Sequence, residues 1–257
     1  LIEAAKKLAA RAGIIIQEEV YDAASEKRRK SRSKLLEINN ESGRYMHELL
    51  MRSPAAEHAR DYLKSRGYGQ EMAKRWLIGW MPANQNQFFD WAKEKNFTAR
   101  QLADAGIARL RDSDRPQSGI YIQLKDRLMF PIYNDYGDII AYSGRQLDSN
   151  PNTGKYVNSP ETALFKKSKT FYGLDKARRH MAKTFAILCE GQIDVIACHE
   201  SGLESAVATL GTACTAEHSR ILKRYTKEVV ICFDSDNAGL KAADKAFKFL
   251  AAEGMHI

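Results

Sequence analysis

Three hydrophobic rhythms follow one another along the chain. Up to about residue 117 the apolar positions recur every three or four residues, the spacing of one helix face. Ile2, Ala5, Leu8 and Ala9 define an amphipathic helix over residues 1–13, which Gly13 stops, and Ile14 to Ile16 read as a short extended piece. Residues 22–34 are linker-like and charged. Their Lys/Arg run reads either as phosphate contacts or as the solvated start of a helix, and the second reading is preferred. Leu35, Leu36, Tyr45, Met46, Leu49 and Leu50 predict a long helix interrupted near Gly43. Pro54 opens another, with Ala55, Ala59, Tyr62 and Leu63 on one side and Gly67 as its stop. Helices follow over 70–77, 88–94 and 99–105, with an extended exit over 78–82, Thr98 as N-cap and Gly106 as a stop. Trp76, Trp80 and Trp91 are either base-stacking platforms or core of this helical part, and core is preferred.

The rhythm changes near residue 118. Residues 127–133 and 138–144 alternate as strands, and Asn134-Asp-Tyr-Gly137 between them signals a hairpin turn. Pro131 places the first strand at an edge or a bulge. A polar loop (148–154), a short extended piece (155–160) and a helix over 174–181 complete this part. From Thr184 the order is strand, helix, strand, helix, strand, helix. The strands are 184–189, 205–209 and 228–233, and the helices lie near 192–201, 216–225 and 238–253. That order predicts a parallel sheet, and His256-Ile257 would begin its next strand. No repeat and no low-complexity tract is visible.

Composition narrows the class. With 44% apolar residues the chain can bury a core, and no apolar run is long enough to span a membrane. It starts without Met and stops in mid-pattern, so it reads as a piece of a longer protein without a signal peptide. The four cysteines form no Cys-x-x-Cys pair, which argues against zinc. Cys189 and Cys232 read as small apolar residues in buried strands, and a reducing cytoplasm fits. Charge is unevenly divided. Of 40 Lys/Arg and 32 Asp/Glu, residues 184–257 carry seven and ten, a net of −3. Residues 1–183 carry the remaining 33 and 22, a net of +11. A basic body beside an acidic site suits a polyanionic partner such as nucleic acid.

The candidate chemistry lies on the acidic side. Glu190 and Asp194 follow one apolar strand, and Asp234 and Asp236 follow another. In an open α/β sheet the carboxyl ends of the strands form the ligand edge. Carboxylates gathered there repel one another, and a hard divalent cation such as Mg²⁺ relieves the repulsion.

Several motifs then occur in a particular order. Arg127-Leu-Met-Phe-Pro-Ile132, Gly144-Arg145, Lys155-Tyr-Val-Asn-Ser-Pro-Glu161, Phe165-Lys-Lys167 and Tyr172-Gly-Leu174 precede Glu190-Gly-Gln-Ile-Asp194. Leu210-Gly-Thr-Ala-Cys-Thr-Ala-Glu-His218 and Phe233-Asp-Ser-Asp236-Asn-Ala-Gly239 follow. This order resembles bacterial DnaG-type DNA primases, an RNA polymerase catalytic core with a TOPRIM domain, and the likeness covers nearly the whole chain. It implies an α/β (overall α+β) fold: a linker segment (1–22) after a zinc-binding module, a largely helical basic subdomain (23–183) and a C-terminally truncated TOPRIM sheet (184–257). It implies synthesis of short RNA primers from NTPs on a single-stranded DNA template.

By the same resemblance Glu190, Asp234 and Asp236 bind two or more Mg²⁺ or Mn²⁺ ions, with no zinc in this fragment. Asp194 belongs to the catalytic motif. It either acts from behind the ligands, holds a basic neighbour, or is a helix N-terminal acid favoured by the dipole. Arg127, Arg145 and Lys155 are expected on triphosphate and template phosphates, with Lys167 a further candidate. Asn158 either contacts a nucleotide or braces its loop. His218 is read as structural or as a minor phosphate contact. Departures from the pattern are Ser235 where Gly is usual, Gln192 where an aromatic residue is frequent, and a longer stretch at 148–154. A replicative helicase is the partner expected through a carboxy-terminal module that this chain lacks. The rivals are a TOPRIM nuclease or topoisomerase, and a non-catalytic primase-like module that only binds single-stranded DNA.

Overall fold

Why each segment takes its form is visible in a computed structural model, which describes residues 23–112, 115, 119–148, 153–211 and 213–257. The elements expected over 1–13 and 14–16, and most of the 148–154 loop, lie outside the described residues. The chain divides into two units, Leu1–Lys34 and Leu35–Ile257.

The charged run is helical. Helix α1 (Ala23–Arg52) crosses Gly43 without a break, against the expected interruption. A side chain at Gly43 would meet Ile139 Cδ1 at 2.6 Å and the Tyr142 hydroxyl at 3.1 Å, so the glycine serves a close approach to the neighbouring sheet. A short 3₁₀ turn (Pro54–Ala56), α2 (Glu57–Ser65), α3 (Gln70–Arg75), α4 (Gln85–Glu94) and α5 (Ala99–Asp104) follow. Thr98 caps α5: its hydroxyl accepts from Gln101 N, and the Gln101 side chain accepts in return from Thr98 N.

The first sheet is antiparallel. Its order is β1 (Gly79–Met81), β4 (Arg127–Tyr133), β5 (Ile139–Gln146) and β6 (Tyr156–Asn158). A small ribbon of β2 (Arg109–Leu110) and β3 (Ile120–Tyr121) stands apart from it. Asn134 shapes the β4–β5 turn by accepting from the N–H groups of Tyr136 and Asp138 at 2.8 and 3.0 Å. Strand β4 lies inside the sheet, but β1 pairs only with residues 127–129, so Pro131 stands where no second neighbour needs an N–H. The register also shifts between Ile132 and Tyr133, the expected bulge. Leu128, Phe130 and Ile132 face one core while Met129 faces another.

The second sheet is parallel, in the order β8 (Ala206–Ala208), β7 (Ala186–Cys189), β9 (Val229–Cys232). Helices α6 (Leu174–Met181), α7 (Gln192–Glu200), α8 (Ala216–Lys223) and α9 (Asn237–Ala252) alternate with these strands in sequence. Strand β7 is buried on both faces, which explains its unbroken apolar run. Ile187 and Cys189 join the core that holds Leu128 and Phe130, and Ala186 and Leu188 join the core of Leu222 and Leu250. The basic part and the parallel sheet therefore share one core. Strand β9 is an edge, and there the expectation for cysteine fails: Cys189 is buried, but Cys232 is exposed on the same open face as Val230. His256 bridges Glu228 in parallel, where the next strand was expected. Among the described residues no helix is long and apolar enough to cross a membrane.

Candidate active site

Strands β7 and β9 run in register, with Cys189 opposite Cys232. Glu190 therefore leaves β7 beside the turn that carries Asp234, and Glu190 Oε1 accepts the Asp234 N–H at 3.1 Å. Asp236 ends that turn as the N-cap of α9, its Oδ1 accepting from Gly239 N at 2.7 Å. Gly239 is what lets the strand end and the helix close on each other. A Cβ there would lie 2.1 Å from the Asp234 carbonyl oxygen and 2.7 Å from Glu190 Oε1. Glu190, Asp234 and Asp236 are exposed. Their donor set, carboxylate oxygens alone, suits a hard divalent cation. Glu190 and Asp236 each engage one oxygen with a backbone N–H. Among the described residues no three His, Cys, Asp or Glu side chains converge closely enough to hold an ion.

Asp194, in the first turn of α7, accepts from Gly191 N at 3.0 Å. Partial burial and the charge of Asp234 push its carboxyl above the usual aspartate range, against the pull of Gly191 N–H, Lys155 and Arg145. Asp194 thus feels both the acid at the strand edge and the cations of the antiparallel sheet. Arg145, at the end of β5, is only 8% exposed. Its Nη1 donates to the Tyr156 hydroxyl at 3.0 Å, and its guanidinium lies over the rings of Tyr62 and Tyr156 at 4.7 and 5.1 Å. Lys155, opposite on the chain entering β6, is exposed. Arg127 is placed differently. It is buried, and its Nη1 donates to the carbonyls of Gly144 and Gly154 at 3.0 and 2.9 Å, with Lys155 O at 3.5 Å. It braces the strand that bears Arg145 and the loop that bears Lys155.

The chain is similar to known proteins over its whole length. Residues 45–178 match the model of the DNA primase catalytic core, N-terminal domain, and residues 187–257 match a Toprim-like model. The chain belongs to the DnaG-type DNA primase catalytic-core family. It is 34% identical to a DNA primase of Halalkalibacterium halodurans over 258 aligned residues, covering 100% of this chain and 42% of that relative. This primase core thus spans about two-fifths of the curated relative's length. Among solved structures it resembles the RNA polymerase domain of Mycobacterium tuberculosis primase DnaG (TM-score 0.77, 34% identity, 84% of this chain and 71% of that one). It also resembles a DnaG primase catalytic domain bound to single-stranded DNA (TM-score 0.72, 34% identity, 86% and 67%). The Toprim part implies catalysis with a divalent metal.

The remaining expected residues of the primase core have structural ties. Asn158 Nδ2 donates to Leu210 O at 2.8 Å, which joins β6 to the turn after β8, while its Oδ1 is buried without a partner. Lys167 lies on a 3₁₀ turn (Lys167–Lys169), its N–H donating to Glu161 Oε1 at 3.0 Å. His218 is fully buried between the Thr215 hydroxyl and the Thr170 carbonyl, and burial lowers its pKa, a structural role. Trp76 and Trp80 are buried and Trp91 stacks on Tyr45 at 4.3 Å, so all three belong to the packing. Sequence reasoning assigned no role at the site to Gln192, Tyr62 or Tyr156, the last already described on Arg145. Gln192, noted only as a departure, donates from its buried amide to Ser143 Oγ at 3.0 Å, fastening α7 to β5 two residues before Arg145. Tyr62 was placed on the apolar side of its helix, and no local signal marks it as the ring over Arg145.

Proposed function

We propose that this primase core carries out template-directed synthesis of short RNA primers from NTPs on single-stranded DNA. The observation that carries the reading is the hydrogen bond from the Asp234 N–H to Glu190 Oε1, which sets Glu190 beside the turn that bears Asp234 and Asp236 at the carboxyl ends of two neighbouring parallel strands. Two supports stand beside it: the match to the primase catalytic-core model, and the likeness to a primase catalytic domain that binds single-stranded DNA.

Glu190, Asp234 and Asp236 are the residues that would hold Mg²⁺ or Mn²⁺. Such ions, when bound, activate the attacking 3′ hydroxyl and neutralise the leaving pyrophosphate oxygen. Arg145 and Lys155 orient phosphate oxygens beside that edge. Arg127 acts at one remove, fixing the backbone that presents both. Asp194 stays near these cations at the start of α7, held by the Gly191 N–H rather than by an ion pair with either. The division near residue 183 separates the two tasks, phosphate handling before it and metal binding after it.

The test is primer synthesis on single-stranded DNA by the complete parent protein. Glu190→Gln and Asp234→Asn are each expected to lower the rate by about two orders of magnitude or more. Full activity in either variant sinks the assignment. Cleavage of DNA without NTPs would favour the nuclease reading instead.

A further inference from the structure

Arg145 is buried in an unusual way for a guanidinium. Exposed Arg75 is held by the carboxylate of Glu200, and buried Arg127 by backbone carbonyls. Among the described residues, Arg145 has neither. Its partners are one phenol hydroxyl and two ring faces, Tyr62 and Tyr156. Ring faces attract a cation through their quadrupole without cancelling its charge. A carboxylate would cancel it. Arg145 is therefore not neutralised by a contacting carboxylate, and it lies in a site that excludes most water, where a charge acts most strongly on an anion.

A second observation points to a ligand. Arg145 is more than nine-tenths buried, and its Nε has no hydrogen-bond partner. The Tyr62 hydroxyl is buried without a partner as well. Unmet donors of this kind are destabilising, and the oxygens of an incoming anion would satisfy them. Tyr62 comes from α2 in the helical part, whereas Arg145 and Tyr156 come from the antiparallel sheet. The ring is thus delivered to the site from outside the strands that carry its cations. Arg66, one turn further along the chain, lies over the same ring at 5.6 Å and continues the line of cations outward.

We propose that Tyr62 is a positioning residue for phosphate recognition: it holds the Arg145 guanidinium by its ring face, so that an uncancelled charge meets a phosphate group. This rests on the assignment of Arg145 to phosphate binding made above and adds the residue that makes the assignment work. The phosphate is either the triphosphate of a nucleotide or the backbone of a DNA strand. Both offer the same oxygens to the same donors.

The experiment measures the affinity of the 257-residue chain for two probes, ATP with Mg²⁺ and a single-stranded oligodeoxythymidylate. It compares wild type, Arg145→Ala, Tyr62→Leu, Tyr62→Phe and the Arg145→Ala/Tyr62→Leu double variant. Tyr62→Leu is expected to weaken one probe by about fivefold or more, the range of a desolvated cation–ring contact. The probe affected identifies the source of the phosphate. Tyr62→Phe, which keeps the ring, recovers most of that loss. The double variant binds no worse than Arg145→Ala alone, because Tyr62 acts through Arg145. Wild-type affinity in Tyr62→Leu, or losses that add in the double variant, overturns the proposal while leaving Arg145 as a phosphate ligand. Unchanged binding of both probes by Arg145→Ala overturns the assignment of Arg145 and the proposal with it. Tyr62→Met, of similar reach and without a ring, gives the same comparison should Tyr62→Leu fail to fold.

Discussion

Gly239 lets the acidic edge and its helix approach each other closely. With only 2.1 Å between a hypothetical Cβ and the Asp234 carbonyl oxygen, no side chain fits without moving backbone. Gly239→Ala is expected to cost about 1–3 kcal/mol in chemical denaturation, the usual range for overpacking. Metal affinity should fall with it, because Glu190 Oε1 lies on the same path. A midpoint equal to wild type would show that the turn relaxes freely. Away from the site, burial raises the Asp175 carboxyl above the ordinary aspartate range, against the pull of Lys176 and Arg178. Such a group favours the folded state while protonated. That contribution is full below the ordinary aspartate pKa and is lost as pH rises through the raised folded value. Asp175→Asn is therefore expected to melt higher than wild type at neutral pH, with the gain vanishing on acidification below the ordinary aspartate range. A gain that persists at low pH would assign the effect to packing. At this scale the sequence marks the acids but not their supports. Glu190 and Asp234 stand out as charges after apolar runs, whereas Tyr62 and Gln192 act through partners 83 and 49 residues away.

Elements were legible where one local pattern decides them. The Asn134–Gly137 turn, the alternation of β4 and β5 and the strand–helix order after Thr184 each follow from short-range chemistry, and the structure keeps all three. The Thr98–Gln101 capping box belongs to the same group. Thr98→Ala is expected to cost about 1 kcal/mol by thermal or chemical denaturation. A loss near zero would mean that packing of Leu102 alone sets the start of α5. Elements were misread where tertiary contact overrides a local preference. A glycine inside a helix costs about 1 kcal/mol relative to Ala, which made Gly43 look like a break. Its lack of a side chain instead admits Ile139 and Tyr142. Exposure of Cys232 has a similar origin: the apolar run of β9 is that of a buried strand, but β9 lies at the edge of the sheet. Arg127 shows a third kind of gap. Motif order placed it with the phosphate ligands, and only the fold reveals that its Nη1 is engaged by backbone carbonyls.

Across the whole molecule the division of charge coincides with the proposed division of chemistry. The basic part supplies Arg145, Lys155 and the helix that brings Tyr62; the acidic part supplies Glu190, Asp234 and Asp236. A shared core fixes one against the other, with Leu128 and Phe130 packed in the same cluster as Ile187 and Val195. The Gln192–Ser143 hydrogen bond adds a polar tie beside the site. Such a shared core would hold the proposed phosphate-binding cations in place against the proposed metal-binding carboxylates. Binding of a divalent ion at the carboxylate edge is the central requirement of the proposed chemistry. Calorimetric titration of the chain with Mn²⁺ tests that most directly, by comparing wild type with Glu190→Gln and Asp234→Asn. A saturable isotherm is expected for wild type and is lost or strongly weakened in both variants. Superimposable isotherms for all three proteins would contradict that expectation.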